Sequence, residues 1–164
     1  MDVLKPKFTK EVISGSQTAG NIADQLKRAI YESEEAARSI SNKFKGSNDQ
    51  MSCFNVWNYC RNHIKYRKET ANLQTAKTLQ RILHDAQTIG GDCKHYTTFC
   101  CSVLRALGIR TQMRLISQNF YDSDPNHIYC VAIINGEEII VDPCIKIFNS
   151  EAAYKYKYNL NLKK

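Results

Sequence analysis

The chain has 164 residues, a formal charge of +7, 43% hydrophobic and 24% charged residues, which describes one soluble domain rather than two or a disordered chain. At this length folding buries roughly 70% of the surface an unfolded chain exposes, so a core forms without metal or disulfide staples. The longest apolar run, Ile128 to Ile134, falls far short of the roughly 18 residues a membrane span requires, and Asp2, Lys5 and Lys7 interrupt any signal peptide.

Residues 1–17 carry Pro6, Gly15 and two serines without periodicity, an arm that something else must order. From Thr18 to about Phe44, Ile22, Leu26, Ile30, Ala37, Ile40 and Phe44 recur near the helical repeat, which predicts one long amphipathic helix. GSND at 46–49 breaks it. Met51, Phe54, Trp57, Cys60 and Ile64 predict a second helix ending near Tyr66, and a third covers Ala76 to Ala86. After Gly90 and Gly91, the residues Tyr96, Phe99, Cys100, Val103, Leu104 and Leu107 form the broad apolar stripe of a core helix, with Gly108 as its stop. The period then changes to strands at 110–117, 128–134 and 137–141. Asn135 and Gly136 between the last two are a strong signal for a hairpin with a type I′ turn. Helices followed by an antiparallel sheet make an α+β fold. The expected domains are an arm and helix at 1–47, a core at 48–153 and a basic aromatic tail at 154–164.

Seven cysteines, an odd number with Cys100 and Cys101 adjacent, suit a reducing, cytoplasmic compartment better than a disulfide framework. Neither CxxC nor HxxxH occurs and no calcium loop is present, so neither a metal nor a cofactor is expected. Asp92 stands where an N-cap belongs, which puts Cys93 at the first helical position. The positive end of the helix dipole, with Lys94 beside it, favours thiolate there, so Cys93 is the best candidate nucleophile. Cys100 and Cys130 read as small buried hydrophobes. The hairpin supplies a base. With a two-residue loop Tyr129 faces Asp142, so Asp142 lies on the same face as His127 and diagonal to it, with a Cβ separation of roughly 7–8 Å or less. In a Cys-His-Asp set the imidazole takes the thiol proton and the carboxylate orients the ring. The competing reading makes His127 a polar strand end and Asp142, followed by Pro143, a turn former. His63 and His84 sit among charged neighbours, and His95, two residues from Cys93, does not face it on a helix.

The strings GGDCKHYTTFCCSVLRALGIRTQMRLIS and NHIYCVAIINGEEIIVDP resemble the transglutaminase-like branch of the papain-fold cysteine enzymes. Together with WNYCRNHIKY upstream, the resemblance spans about residues 50 to 151. It implies a nucleophile at a helix N-terminus packed on an antiparallel sheet, with Cys93 as nucleophile, His127 as base and acid, and Asp142 as orienting carboxylate. Lys94 stands where the family commonly has an acidic residue. FNSE at 148–151 resembles the ending of phage-encoded relatives. The shared chemistry is thiolate attack on an amide carbonyl. Its oxyanion needs donors, for which the Cys93 amide, Trp57 Nε1 and Asn58 are candidates. Trp57 also fits the apolar stripe of its helix, and a core role is the plainer reading for it.

Three functions follow. The first is a cysteine-dependent acyl-transfer enzyme, a peptidase or amidase acting on protein or peptide substrate. The second is an inactive papain-like module of a larger assembly such as a virion, contacted through the N-terminal helix and terminal arms. The third is nucleic-acid binding through YKYKYNLNLKK, whose lysines and tyrosines could neutralise and stack a single strand, although a solvated, strand-like or partner-docking tail is the plainer reading.

Overall fold

The expected single helix from Thr18 to Phe44 is broken at Ser33 in a computed structural model of the chain, which describes residues 10–12 and 18–163. Helix α1 spans Ala19–Glu32 and α2 spans Glu34–Ser41. Ser33 is fully buried. Its hydroxyl donates to the Ala29 carbonyl at 2.6 Å and accepts from the Leu79 amide at 2.8 Å, a tertiary bond that local periodicity does not encode. Within the N-terminal arm, Lys10–Val12 forms β1, ordered by antiparallel pairing with β2, Thr75–Lys77. The remainder of the arm lies outside the described residues. Helix α3 runs Asp49–His63 behind an Asn48 cap that accepts from the Met51 amide at 2.8 Å. The third expected helix is shorter than its pattern. Its first residues join β2, and only Leu79–Asp85 forms α4.

Helix α5, Cys93–Ala106, is buried over eleven of its fourteen residues, because α1, α2 and α3 pack on it from one side and the sheet covers the other. A helix enclosed all round favours apolar or internally satisfied side chains, and most of this one conforms, although the hydroxyls of Thr98 and Ser102 are buried without a hydrogen-bond partner. Strands β3 (Arg110–Ser117), β4 (His127–Ile134), β5 (Glu137–Val141) and β6 (Tyr156–Asn161) form one antiparallel sheet in the order β5-β4-β3-β6. Period-two alternation sends Met113, Leu115, Ile128, Cys130, Ala132, Ile139 and Val141 into the main core. Ile116, Tyr129, Val131 and Ile140 form a second cluster on the opposite face. The same face holds fully buried Arg114, neutralised by Glu138 and Glu151 at 2.6 Å each. The fold is the expected α+β, papain-like arrangement. The tail contributes β6, paired with β3, and Leu162 reaches the core.

The β4–β5 turn matches its reading. Asn135 and Gly136 take φ values of 53° and 82°, and Ile134 pairs with Glu137 and Cys130 with Val141. That register decides where His127 and Asp142 meet.

Candidate active site

Three chain segments converge at the N-terminus of α5. Gly91 lies beside residues 65–67, accepting from the Arg67 amide at 2.9 Å and donating to the Lys65 carbonyl at 3.0 Å. A Cβ on Gly91 would stand 2.8 Å from that of His95, and one on Gly90 only 2.2 Å from the Lys65 carbonyl oxygen. The double glycine therefore lets the chain close on itself just before Asp92. Asp92 caps the helix as expected, accepting from the Lys94 amide at 3.2 Å, and His95 Nδ1 reciprocates by accepting from the Asp92 amide at 3.1 Å. Buried Lys77 supports the loop from below, donating to the Gly90 carbonyl at 2.9 Å and pairing with Asp85 at 2.8 Å.

Cys93, half-buried, opens the helix. His127 stands at the start of β4 with Nε2 2.7 Å from Asp142 Oδ2, which leaves Nδ1 as the ring nitrogen for Cys93. Burial works against a charged ring, but side-chain hydrogen bonds to Asp142 and Cys93, and the charges of both, raise the His127 pKa to about 10. Asp142 is buried, and its other oxygen accepts from the Cys144 amide at 3.0 Å. The structure thus brings Cys93, His127 and Asp142 together, with Asp92 beneath.

The two side-chain oxyanion candidates lie elsewhere. Trp57 is a core residue whose indole N–H donates to the Asp142 backbone carbonyl at 3.0 Å, so it holds the carboxylate's strand rather than a substrate oxygen. Asn58 faces solvent on α3 and accepts from the Asn62 amide at 2.9 Å. Lys94 does not present its charge to the cleft. It is buried and paired with Asp92 at 2.6 Å and Glu69 at 3.4 Å. His95 is likewise structural: burial first, then Lys94, lowers its pKa to about 4 against the pull of Asp92 and Glu69, and its Nε2 donates to the Thr75 carbonyl at 3.0 Å. His63 stacks on Tyr59 and His84 sits beside Asp85, both outside the cleft.

Sequence reasoning missed three participants. Tyr66, 51% exposed, lines the cleft beside Cys93. Burial, followed by Cys144, Cys93, Asp92 and Asp142, pushes its phenol up to about 12, so it stays a proton donor at neutral pH. Arg61 clamps the turn after Asp142 by donating to the carbonyls of Pro143 at 2.7 Å and Ile145 at 3.0 Å. Cys144 lies close enough that its sulfur, a His127 nitrogen and an Asp142 oxygen are all within 4.8 Å of one another, a set able to hold a metal ion that no spacing motif announces. Only the tyrosine that ends WNYCRNHIKY carried a sequence signal.

The cleft, about 470 Å³, runs between the 66–74 loop, the α5 N-terminus and the 118–128 segment, with Ala19 and Ile22 of α1 on its wall. Such a half-open groove admits a chain-like substrate to a thiol, an imidazole and its carboxylate. No helix among the described residues is long and apolar enough to cross a membrane.

A family model for a transglutaminase-like domain matches residues 35–163. Among solved structures, the chain is similar to a candidate protease from Parabacteroides distasonis ATCC 8503. The identity is 14% and the TM-score 0.55, covering 74% of this chain and 26% of that one. It is also similar to a candidate cysteine protease from Cytophaga hutchinsonii at 15% identity and a TM-score of 0.51, covering 82% and 48%. The chain therefore spans less than half the length of either protein, and the likeness is one of fold. No curated protein matches it.

Proposed function

The chain belongs to the transglutaminase-like family, and from that premise we propose that it is a cysteine-dependent enzyme that opens peptide or side-chain amides through a thioester. The observation that carries this reading is the 2.7 Å bond between His127 Nε2 and Asp142, with Cys93 on the ring's other side. His127, protonated at neutral pH, holds the proton it shares with Cys93 as sulfur bonds to the amide carbon. It gives that proton to the departing amine as the C–N bond breaks, leaving a thioester and a neutral ring. Water then attacks with His127 as base, the C–S bond breaks, and acid and free thiol are released. Asp142 holds the ring in one orientation throughout.

Charge developing on the carbonyl oxygen is met by the Cys93 backbone N–H, which has no protein acceptor among the described residues and sits at the positive end of α5. The Tyr66 hydroxyl is the second donor in this reading. In this reading water rather than an amine resolves the thioester.

The test uses the whole chain with glutamine-containing peptides and activated amide or ester substrates. Rapid quenching and intact-mass measurement should show an acyl adduct on Cys93, product acid released in register with substrate loss, and neither in Cys93→Ala. If no adduct forms and Cys93 alkylates no faster than the other thiols, the proposal is lost.

A further inference from the structure

Acyl transfer leaves Cys144 without a task, although its sulfur stands within 4.8 Å of the donor atoms of His127 and Asp142. The turn that carries it is fixed from several directions. The Cys144 amide donates to Asp142 Oδ1 at 3.0 Å, Arg61 grips the carbonyls on either side of Cys144, and Trp57 holds the Asp142 carbonyl. A sulfur, an imidazole nitrogen and a carboxylate oxygen on a braced turn are a donor set that suits zinc. Zinc takes sulfur at roughly 2.3 Å and nitrogen or oxygen at roughly 2.0–2.2 Å in a tetrahedron. Ligand atoms so held stand roughly 3.3–3.8 Å apart, so the sulfur closes by up to about 1 Å and the His127–Asp142 pair, now 2.7 Å apart, opens by about 0.6 Å to take an ion.

We propose that His127, Asp142 and Cys144 form a regulatory site for a zinc-like divalent cation that silences the Cys93 centre while it is bound. Zinc takes the sulfur of Cys144 as the thiol proton leaves to solvent, and it takes the His127 nitrogen and Asp142 oxygen as the proton of their shared hydrogen bond leaves as well. Water completes the tetrahedron. The imidazole then bonds to the metal instead of to its orienting carboxylate, and it no longer serves as the proton carrier for Cys93. Binding stands independently of the acyl-transfer reading; only the silencing rests on it.

The binding is tested in a Cys93→Ser chain, which lacks the nucleophile and retains all three donors. Competition against a chromophoric zinc chelator should give one ion per chain, weakened at least tenfold by adding Cys144→Ser. Cobalt(II) in the Cys93→Ser chain should show a sulfur-to-cobalt charge-transfer band, because Cys144 is then the remaining thiol that is not fully buried. That spectrum decides the matter alone should Cys144→Ser fail to fold. In the native sequence, zinc should slow alkylation of Cys93 at least tenfold and a chelator should restore it. Zinc affinity indifferent to Cys144, or cobalt without the sulfur band, overturns the site. Tight binding that leaves Cys93 alkylation unchanged overturns the silencing. Failure to find any amide turnover would touch neither measurement.

Discussion

Cys93 and Cys100 lie on the same helix, yet their surroundings are opposite. Cys100 is fully buried with its sulfur 3.9 Å from that of Cys60, and the neighbouring core holds Cys53, Cys101 and Cys130, each fully buried. Burial pushes Cys53 up to about 12 and raises Cys100 and Cys130 well above the ordinary thiol range. Two turns earlier, Cys93 faces a cleft, a helix dipole and an imidazole. The difference shows that one side chain serves as an inert filler or as a nucleophile according to its neighbours. Cys144 sharpens the point, since it too is half-buried. Burial first, then the charges of Asp142 and Cys93, holds its thiol well above the usual range. Partial exposure does not make a nucleophile of a thiol that burial and neighbouring negative charge hold protonated.

The contrast breaks most directly under alkylation. At neutral pH, iodoacetamide followed by peptide mapping should modify Cys93 well ahead of Cys144, with the core thiols untouched in the folded chain. His127→Ala should slow Cys93 by about 10²-fold or more, within the range general-base groups supply. Uniform rates across the thiols would erase the distinction. Next in size is Tyr66→Phe. Loss of an oxyanion donor costs about 10²–10³ in kcat. Alkylation forms no oxyanion, so iodoacetamide should react with this variant at the native rate. That split separates transition-state stabilisation from a general disturbance of the cleft.

On the core side, Cys100→Ser buries a hydroxyl among apolar neighbours and should lower unfolding free energy by about 1–3 kcal/mol in urea titration. Cys93 alkylation in the folded protein should remain unchanged. A core serine that cost nothing would mean that the Cys60–Cys100 region is wetter than its burial implies.

Local devices were the parts readable in advance. Asn135 and Gly136 dictated the β4–β5 register, and register alone places Asp142 diagonal to His127. Asp92 followed by an apolar helix marked the α5 start, and the change of period after Gly108 separated helices from sheet. What escaped depends on partners distant in sequence. Ser33 interrupts the first helix because its hydroxyl serves Leu79, and Lys10–Val12 becomes a strand because Thr75–Lys77 lies alongside. The Trp57 indole was open to two uses until the Asp142 carbonyl claimed it. Cys144 looked like one more thiol because nothing in its neighbourhood on the chain reveals that a hairpin brings His127 back to it.

The finest test of the cleft is the titration of His127 itself. A raised native pKa means that the folded chain holds this proton more firmly than the unfolded chain, whose imidazole titrates near 6.5. The stabilisation is therefore complete below that value and is lost as pH climbs through about 10. Ring-proton NMR should show His127 protonated across neutrality. Two partners hold the proton, and they are separable. In Cys93→Ser the thiol's hydrogen bond and charge vanish while Asp142 remains, so the midpoint should fall below 10 yet stay above 6.5. A midpoint unmoved by that substitution would mean that sulfur and ring do not interact. The sharp line between reactive and inert cysteines would then rest on the helix dipole alone.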